Sequence, residues 1–336
     1  MTSTNALETI GLEQVHRLRQ AGVINGAGFL SAAIAARDAA FWQLWARRAL
    51  LILGVAHLLA GIVFFFAYNW ADMPVWAKFA AVESGIVLSA VTALLVGVDR
   101  WVGQACLIAS SALVGLLLAV VGQVYQTGAD AYELFGAWAL LILAWVLASR
   151  SAVHWLLWLA VLYLAFGLYG EQVLVPEGRL SSEDILVNLG AIAALVLAAR
   201  EFGVRRGLAW LAGEWNRLIV LVAGFAMLFG PGIGFVFDAN GEPLALIALV
   251  AGLAGAAIVY RRWLPDFAAL VIAIGVASLV LMSAGYRLLD ETIGFHWDVS
   301  STDLAFIGLL VAWCVLVTGA AARLMRGLHF DMATRA

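Results

Sequence analysis

Two stretches, FFFAYNWADMPVWAKFAAVE (Phe64–Glu83) and GQVYQTGADAYELF (Gly122–Phe135), stand on either side of a helix-length apolar run. Each holds an Ala-Asp pair, Ala71-Asp72 or Ala129-Asp130, among Tyr, Asn, Gln, Thr and Trp. Asn, Asp, Thr and Gly form turns, and Tyr and Trp anchor at membrane–water boundaries. A turn of this kind between long apolar runs predicts a tight helical hairpin in a bilayer. The shared Ala-Asp hints at a duplicated hairpin, but the neighbouring residues align poorly.

Composition supports the same reading for the rest of the chain. Of 336 residues, 64% are hydrophobic and 12% charged, and the mean hydropathy is +0.98. A water-soluble domain of this length cannot cover that much apolar surface. The net charge of −3 argues against a nucleic-acid partner. The two cysteines, Cys106 and Cys314, both fall in apolar runs and read as buried thiols rather than a disulfide or metal framework. No cleavable signal peptide is expected, because about 48 fairly polar residues precede the first apolar run.

The sequence divides into three parts. Residues 1–48 read as a short cytoplasmic helical hairpin. Leu12, Val15 and Leu18 give its first helix one apolar stripe, with Gly22 as C-cap and Asn25 capping the second helix. That second helix runs from about Gly26 through Trp42 and Trp45 to Arg47-Arg48, a pattern that marks an interface. Residues 49–155 form a four-span module, and residues 156–336 a six-span membrane region. The expected spans are 49–69, 75–97, 102–122, 131–149, 152–170, 184–200, 217–237, 243–260, 265–286 and 303–323, each near the roughly 20 residues a bilayer needs. The fold class is therefore all-α: a polytopic helical membrane protein of about ten transmembrane helices. Arg150 and Ser151 alone separate the fourth and fifth spans.

Charge sets the expected orientation. With a cytoplasmic N-terminus, 16 of the 19 basic residues lie on the inner side; only Lys78, Arg179 and Arg287 lie outside. Thirteen acids, Asp72, Asp130 and Glu171 among them, lie outside or at the outer edge. This obeys the positive-inside rule and places both termini in the cytoplasm of a bacterial inner membrane.

Ala67–Glu83, read as AYNW-x-x-x-P-x-W-A-K-F-x-x-x-E, and Gly122–Phe135, read as G-Q-x-Y-Q-T-G-A-D-x-Y-x-L-F, resemble the bacterial membrane family called domain of unknown function 2157. LRQAGVI (Leu18–Ile24) is similar to that family's opening helix and turn. The resemblance covers roughly residues 8–155. It implies an integral membrane protein without an assigned biochemical activity. It also implies association with membrane proteins of the GDYXXLXY type or with domain of unknown function 4401.

Two groups of polar residues are candidate sites. The first is an intramembrane pair, His57 and Glu83, each roughly 12 Å deep from opposite ends of adjacent spans at a rise of about 1.5 Å per residue. Ser110 and Ser111 lie at similar depth. Ionisable groups there usually face protein or a hydrated path. The pair reads either as a proton relay or, more simply, as a neutral hydrogen bond holding helices together. The second is an outer cluster: Tyr68, Asn69, Asp72, Lys78, Gln123, Tyr125, Gln126, Thr127, Asp130 and Glu133. It reads as turn chemistry or as a polar pocket between hairpins. Lys78 can snorkel to the interface or pair with Asp72 or Asp130.

Gly230-Pro231-Gly232-Ile233-Gly234 predicts a break in the seventh span, as a frayed end or a discontinuous helix. Asn188, Gly252 and Gly255 read as helix-packing positions. There is no HExxH, GxSxG or GxxxxGK[ST] motif, and His296-Trp297-Asp298 reads as a chance triplet. No enzyme activity, cofactor or metal is expected. The leading function is a scaffold or accessory subunit of a membrane complex. The alternative is a transporter or channel for a small solute, ion or proton using the first four spans.

Overall fold

The computed structural model describes residues 39–237, 243–293 and 301–333, with isolated positions between 15 and 32. Contacts divide the chain into two compact units, Met1–Lys78 and Phe79–Ala336.

In the first unit, Val15 is buried and helical, Leu18 is helical, and Val23 donates its N–H to Leu18 O at 3.0 Å. Leu12, Gly22, Asn25 and Gly26 lie outside the described residues. Helix α1 spans Ala39–Asn69 without interruption. The expected boundary at residue 48 is thus no break in the helix: Ala46-Arg47-Arg48-Ala49 contains only good helix formers and nothing that stops one. Phe41, Trp42 and Trp45 stack edge to face along its exposed start. A turn at Trp70–Pro74, closed by Met73 N–H on Asn69 O, leads into α2, Val75–Val96.

The remaining helices are α3 Trp101–Tyr125, α4 Ala131–Ser149, α5 Ala152–Tyr169, α6 Ser182–Arg205, α7 Glu214–Phe237, α8 Pro243–Ile258, α9 Phe267–Thr292 and α10 Ser301–Ala333. A π-helical turn extends α5 to Leu174 and another extends α8 to Trp263. Among the described residues there is no strand, and nine helices from α2 onward are long and apolar enough to cross a membrane. The tenth expected span lies within α1. The chain is an all-α, multi-pass membrane protein whose outer surface contacts lipid.

The break between α4 and α5 is sharp. Arg150 takes the left-handed conformation with φ 46°, and Ser151 is extended. The expected break at Gly230–Gly234 does not occur: α7 runs through Pro231 to Phe237. Proline removes one intrahelical bond, but α7 is the most buried span and packs against α6, α8 and α9. Gly232 lets α8 close in; a Cβ there would lie 2.7 Å from Leu249 Cδ2. The expected outer loop at 287–302 is shorter than read, because α9 continues to Thr292.

In the second unit, sequence neighbours pack as hairpins, α3 on α4, α4 on α5, α6 on α7, α7 on α8 and α9 on α10. Helix α7 also meets α9, so it sits at the centre of α6–α9. The largest buried cluster joins Leu221, Phe225 and Leu228 of α7 to Leu249 and Ala256 of α8 and Leu270 and Ala273 of α9. A smaller one joins Leu159, Ala193 and Val220 of α5, α6 and α7.

Candidate functional site

The residues singled out from sequence fall in separate places. His57 is exposed on α1, and its Nδ1 lies 2.8 Å from Leu53 O one turn back. Lys78 places Nζ 5.2 Å from the centre of the Trp70 ring, a cation–π contact rather than an ion pair with Asp72 or Asp130. Tyr68 and Asp72 are exposed and Asn69 half-buried in the same unit.

In the second unit, Gln123, Tyr125, Gln126, Thr127, Asp130 and Glu133 are all exposed at the α3–α4 turn. Their geometry is that of a turn: Gln126 and Gly128 have positive φ, and Thr127 Oγ1 accepts the Ala129 N–H at 3.5 Å. The Tyr125 ring rests against Phe79, with centroids 6.1 Å apart. Glu83 is exposed on α2 and has no hydrogen-bond or ion-pair partner among the described residues. The neighbouring serines do not serve it. Ser110 donates to Ile86 O at 3.1 Å, and Ser111 turns to a histidine that sequence reading passed over.

That histidine is His154, fully buried in the first turn of α5. The reversal at Arg150–Ser151 folds it back on the end of α4. Its Nδ1 lies 2.9 Å from Ser149 Oγ and its Nε2 2.8 Å from Ser111 Oγ. Ser149 spends its own hydroxyl hydrogen on Val146 O at 3.0 Å, so its oxygen accepts from Nδ1–H. Nε2 is then the acceptor of the Ser111 hydroxyl, and the ring is neutral. Trp138 Nε1 donates to Ser111 O at 2.7 Å, and Gln104 Nε2 to Ser149 O at 3.2 Å. Gly115 makes room for the Trp138 indole; a Cβ there would lie 2.5 Å from the ring. Three helices are tied by one closed set of donors and acceptors.

A second buried polar group gathers where α6, α7 and α9 meet at the arginine-rich end. Arg200, 2% exposed, donates Nε to Asn216 Oδ1 at 2.8 Å and one terminal nitrogen to Leu211 O and Gly213 O at 2.5 and 2.8 Å. Its other terminal nitrogen pairs with Glu201. Arg217 pairs with Asp266, lies 3.8 Å from Glu201, and stacks 5.7 Å from the Tyr260 ring centre. Asp266 also caps α9 through the Ala269 N–H at 3.1 Å. Two cations and two anions cancel, and the guanidinium of Arg200 fastens the α6–α7 connection.

The signal for this quartet was present in the sequence. Glu201 and Asp266 are acids on the arginine side, where acids are otherwise sparse, and each is a ready partner for a buried guanidinium. Little along the chain marks His154: Ser149 stands five residues before it across the α4–α5 break, and Ser111 stands 43 before it. Cys106 and Cys314 are free and half-buried. No group of three potential metal ligands occurs among the described residues. The triplet at His296 lies outside them.

No curated protein and no solved structure matches the chain. The His154 network, with Ser111, Trp138 and Ser149, lies wholly inside the one segment that a family model covers. Residues 16–155 match the model described as Predicted membrane protein (DUF2157), the family that the two turn motifs resemble.

Proposed function

We propose that the protein is a non-enzymatic accessory or scaffold subunit of a bacterial inner-membrane complex, and that it docks another membrane protein through the Glu83 face of α2. The observation that carries this reading is the unpaired carboxylate. Glu83 follows the start of α2 by eight residues, about 12 Å along the helix axis. Val87, Val91 and Leu94 are exposed on the same side. An ionisable group at that depth is costly against lipid and is met by protein or water. A partner helix carrying a donor would supply the missing bond.

Two further points support the reading. The His154 and Arg200 groups of the second unit are paired within it, with Tyr163 Oη and Arg217 Nε the buried side-chain polar atoms left without a hydrogen bond among the described residues. The arginine bias favours cytoplasmic termini by the positive-inside rule. The family resemblance directs the search for partners to proteins of the GDYXXLXY type or with domain of unknown function 4401.

The same unpaired Glu83 favours one competing reading, a proton-coupled transporter built on the first four spans with His57 and Glu83 in relay. Reconstitution separates the two. Proteoliposomes with an internal pH dye should show no flux above empty vesicles, with or without Glu83→Gln. Membranes solubilised in mild detergent should give a native-gel complex that Glu83→Leu shortens by one discrete component. Proton-coupled flux that Glu83→Gln abolishes would overturn the accessory-subunit reading.

A further inference from the structure

A groove of about 680 Å³ opens between α6, α7 and α8 in the second unit. Its walls are mostly small: Gly190, Ala194 and Ala198 of α6, and Ala251 and Gly255 of α8, with Phe225 of α7 behind them. Gly255, read from sequence as a helix-packing position, instead faces this space, with nothing within 4 Å of where its Cβ would be. The groove ends at the arginine-rich side beside Glu201, Arg205 and the exposed Trp263.

The charges at that end are unequal. Glu201 is taken up by Arg200 and Arg217, and Arg217 also holds Asp266. Arg205, which lines the groove, is exposed and has no ion-pair partner among the described residues. Arg206 is exposed too and lies 4.8 Å over the ring of Phe202, another lining residue. The mouth therefore carries two guanidinium groups with no carboxylate of their own.

We propose that this groove binds an anionic phospholipid, with one acyl chain along the small residues of α6 and α8 and the phosphate held by Arg205 and Arg206. A helix from a second copy would also cover the small residues, but the arginine-rich side of this chain, with 16 of the 19 bases, would add more positive than negative charge to the mouth. A phosphodiester does, and guanidinium groups bind phosphate oxygens through paired N–H donors. Basic pockets between spans on the cytoplasmic side recognise anionic headgroups in this way. Trp263 stands at the level where indole rings anchor to headgroups.

The test is native mass spectrometry of the detergent-purified full chain, titrated with dioleoylphosphatidylglycerol and, separately, dioleoylphosphatidylcholine. The wild type should bind phosphatidylglycerol more tightly. The pair Arg205→Gln/Arg206→Gln should weaken it roughly thirtyfold, at about 1 kcal/mol per arginine, and leave phosphatidylcholine unchanged. Gly255→Leu fills open space, so it should block the first bound lipid while leaving the melting temperature unchanged. Unchanged phosphatidylglycerol binding in either variant would overturn the proposal. So would a wild-type dimer that Gly255→Leu converts to monomer, which would assign the groove to a second copy.

Discussion

Replacing Arg200 by Met keeps much of the side chain's length and removes one buried charge with its four hydrogen bonds. The damage is uneven. Leu211 O keeps the Asn216 Nδ2–H at 3.1 Å, and Glu201 keeps Arg217 at 3.8 Å. Gly213 O and Asn216 Oδ1 lose their donor, and the quartet goes from neutral to one net negative charge. Removing one partner of a buried ion pair costs about 3–5 kcal/mol. Because Arg217 still attends Glu201, the lower end, about 3 kcal/mol, is expected. Arg200→Lys keeps the charge but offers three donors on a point charge in place of a planar fork, and should cost about 1–2 kcal/mol. Arg200→Met/Glu201→Met restores neutrality and should be more stable than Arg200→Met alone. Equilibrium unfolding in mixed micelles of rising dodecyl sulfate fraction, followed by circular dichroism, gives the three values. An Arg200→Met variant within about 0.5 kcal/mol of wild type, the range of ordinary surface changes, would refute the staple. A double variant no better than the single would refute its charge balance.

His154→Leu should cost about 1–2 kcal/mol in the same unfolding assay, and ¹⁵N solid-state NMR of the wild type should show a neutral ring protonated at Nδ1. A ring protonated at Nε2 would reverse the assigned donors. Gly115→Ala should cost about 1–3 kcal/mol by displacing the Trp138 indole, whereas Gly136→Ala, with open space at its Cβ, should be neutral or stabilising. Equal effects at the two glycines would show that Trp138 is free to move. With Cys106 and Cys314 replaced by Ser, single cysteines at the exposed Ala209 and Glu177 should label from opposite sides of the membrane, Ala209 from the cytoplasm. Labelling from one side would contradict the alternation of spans between them.

The fold was largely legible because a bilayer leaves few options. Long apolar runs must become helices, and every span expected from Val75 onward lies where a helix is found, with ends shifted by up to six residues except at α10, which runs ten residues past the expected end at 323. Ala131–Ser149 was placed to the residue. The break expected at Pro231 was inferred from local punctuation, but Pro231 is outvoted by the packing of α7 on α8 and α9. The polar residues near the two turns stood out because their surroundings are apolar, and the α3–α4 group has the backbone geometry of a turn. The acids Glu201 and Asp266 on the arginine side hinted at the quartet, but its pairings, 16 and 49 residues apart, and that of His154 with Ser111, 43 apart, are not marked along the chain. A pattern along one helix does not carry such pairings.

Site-specific photocrosslinking tests docking at α2 most directly. A benzophenone amino acid at Val87, one turn from Glu83 on the same exposed side, and at Val120, which is 2% exposed in α3, provide the probe and its buried control in living cells. The account predicts one discrete adduct with a second membrane protein at Val87, lost in Glu83→Leu and retained in Glu83→Gln, and none at Val120. An adduct at Val87 confined to the chain's own α1, or to lipid alone, would contradict it.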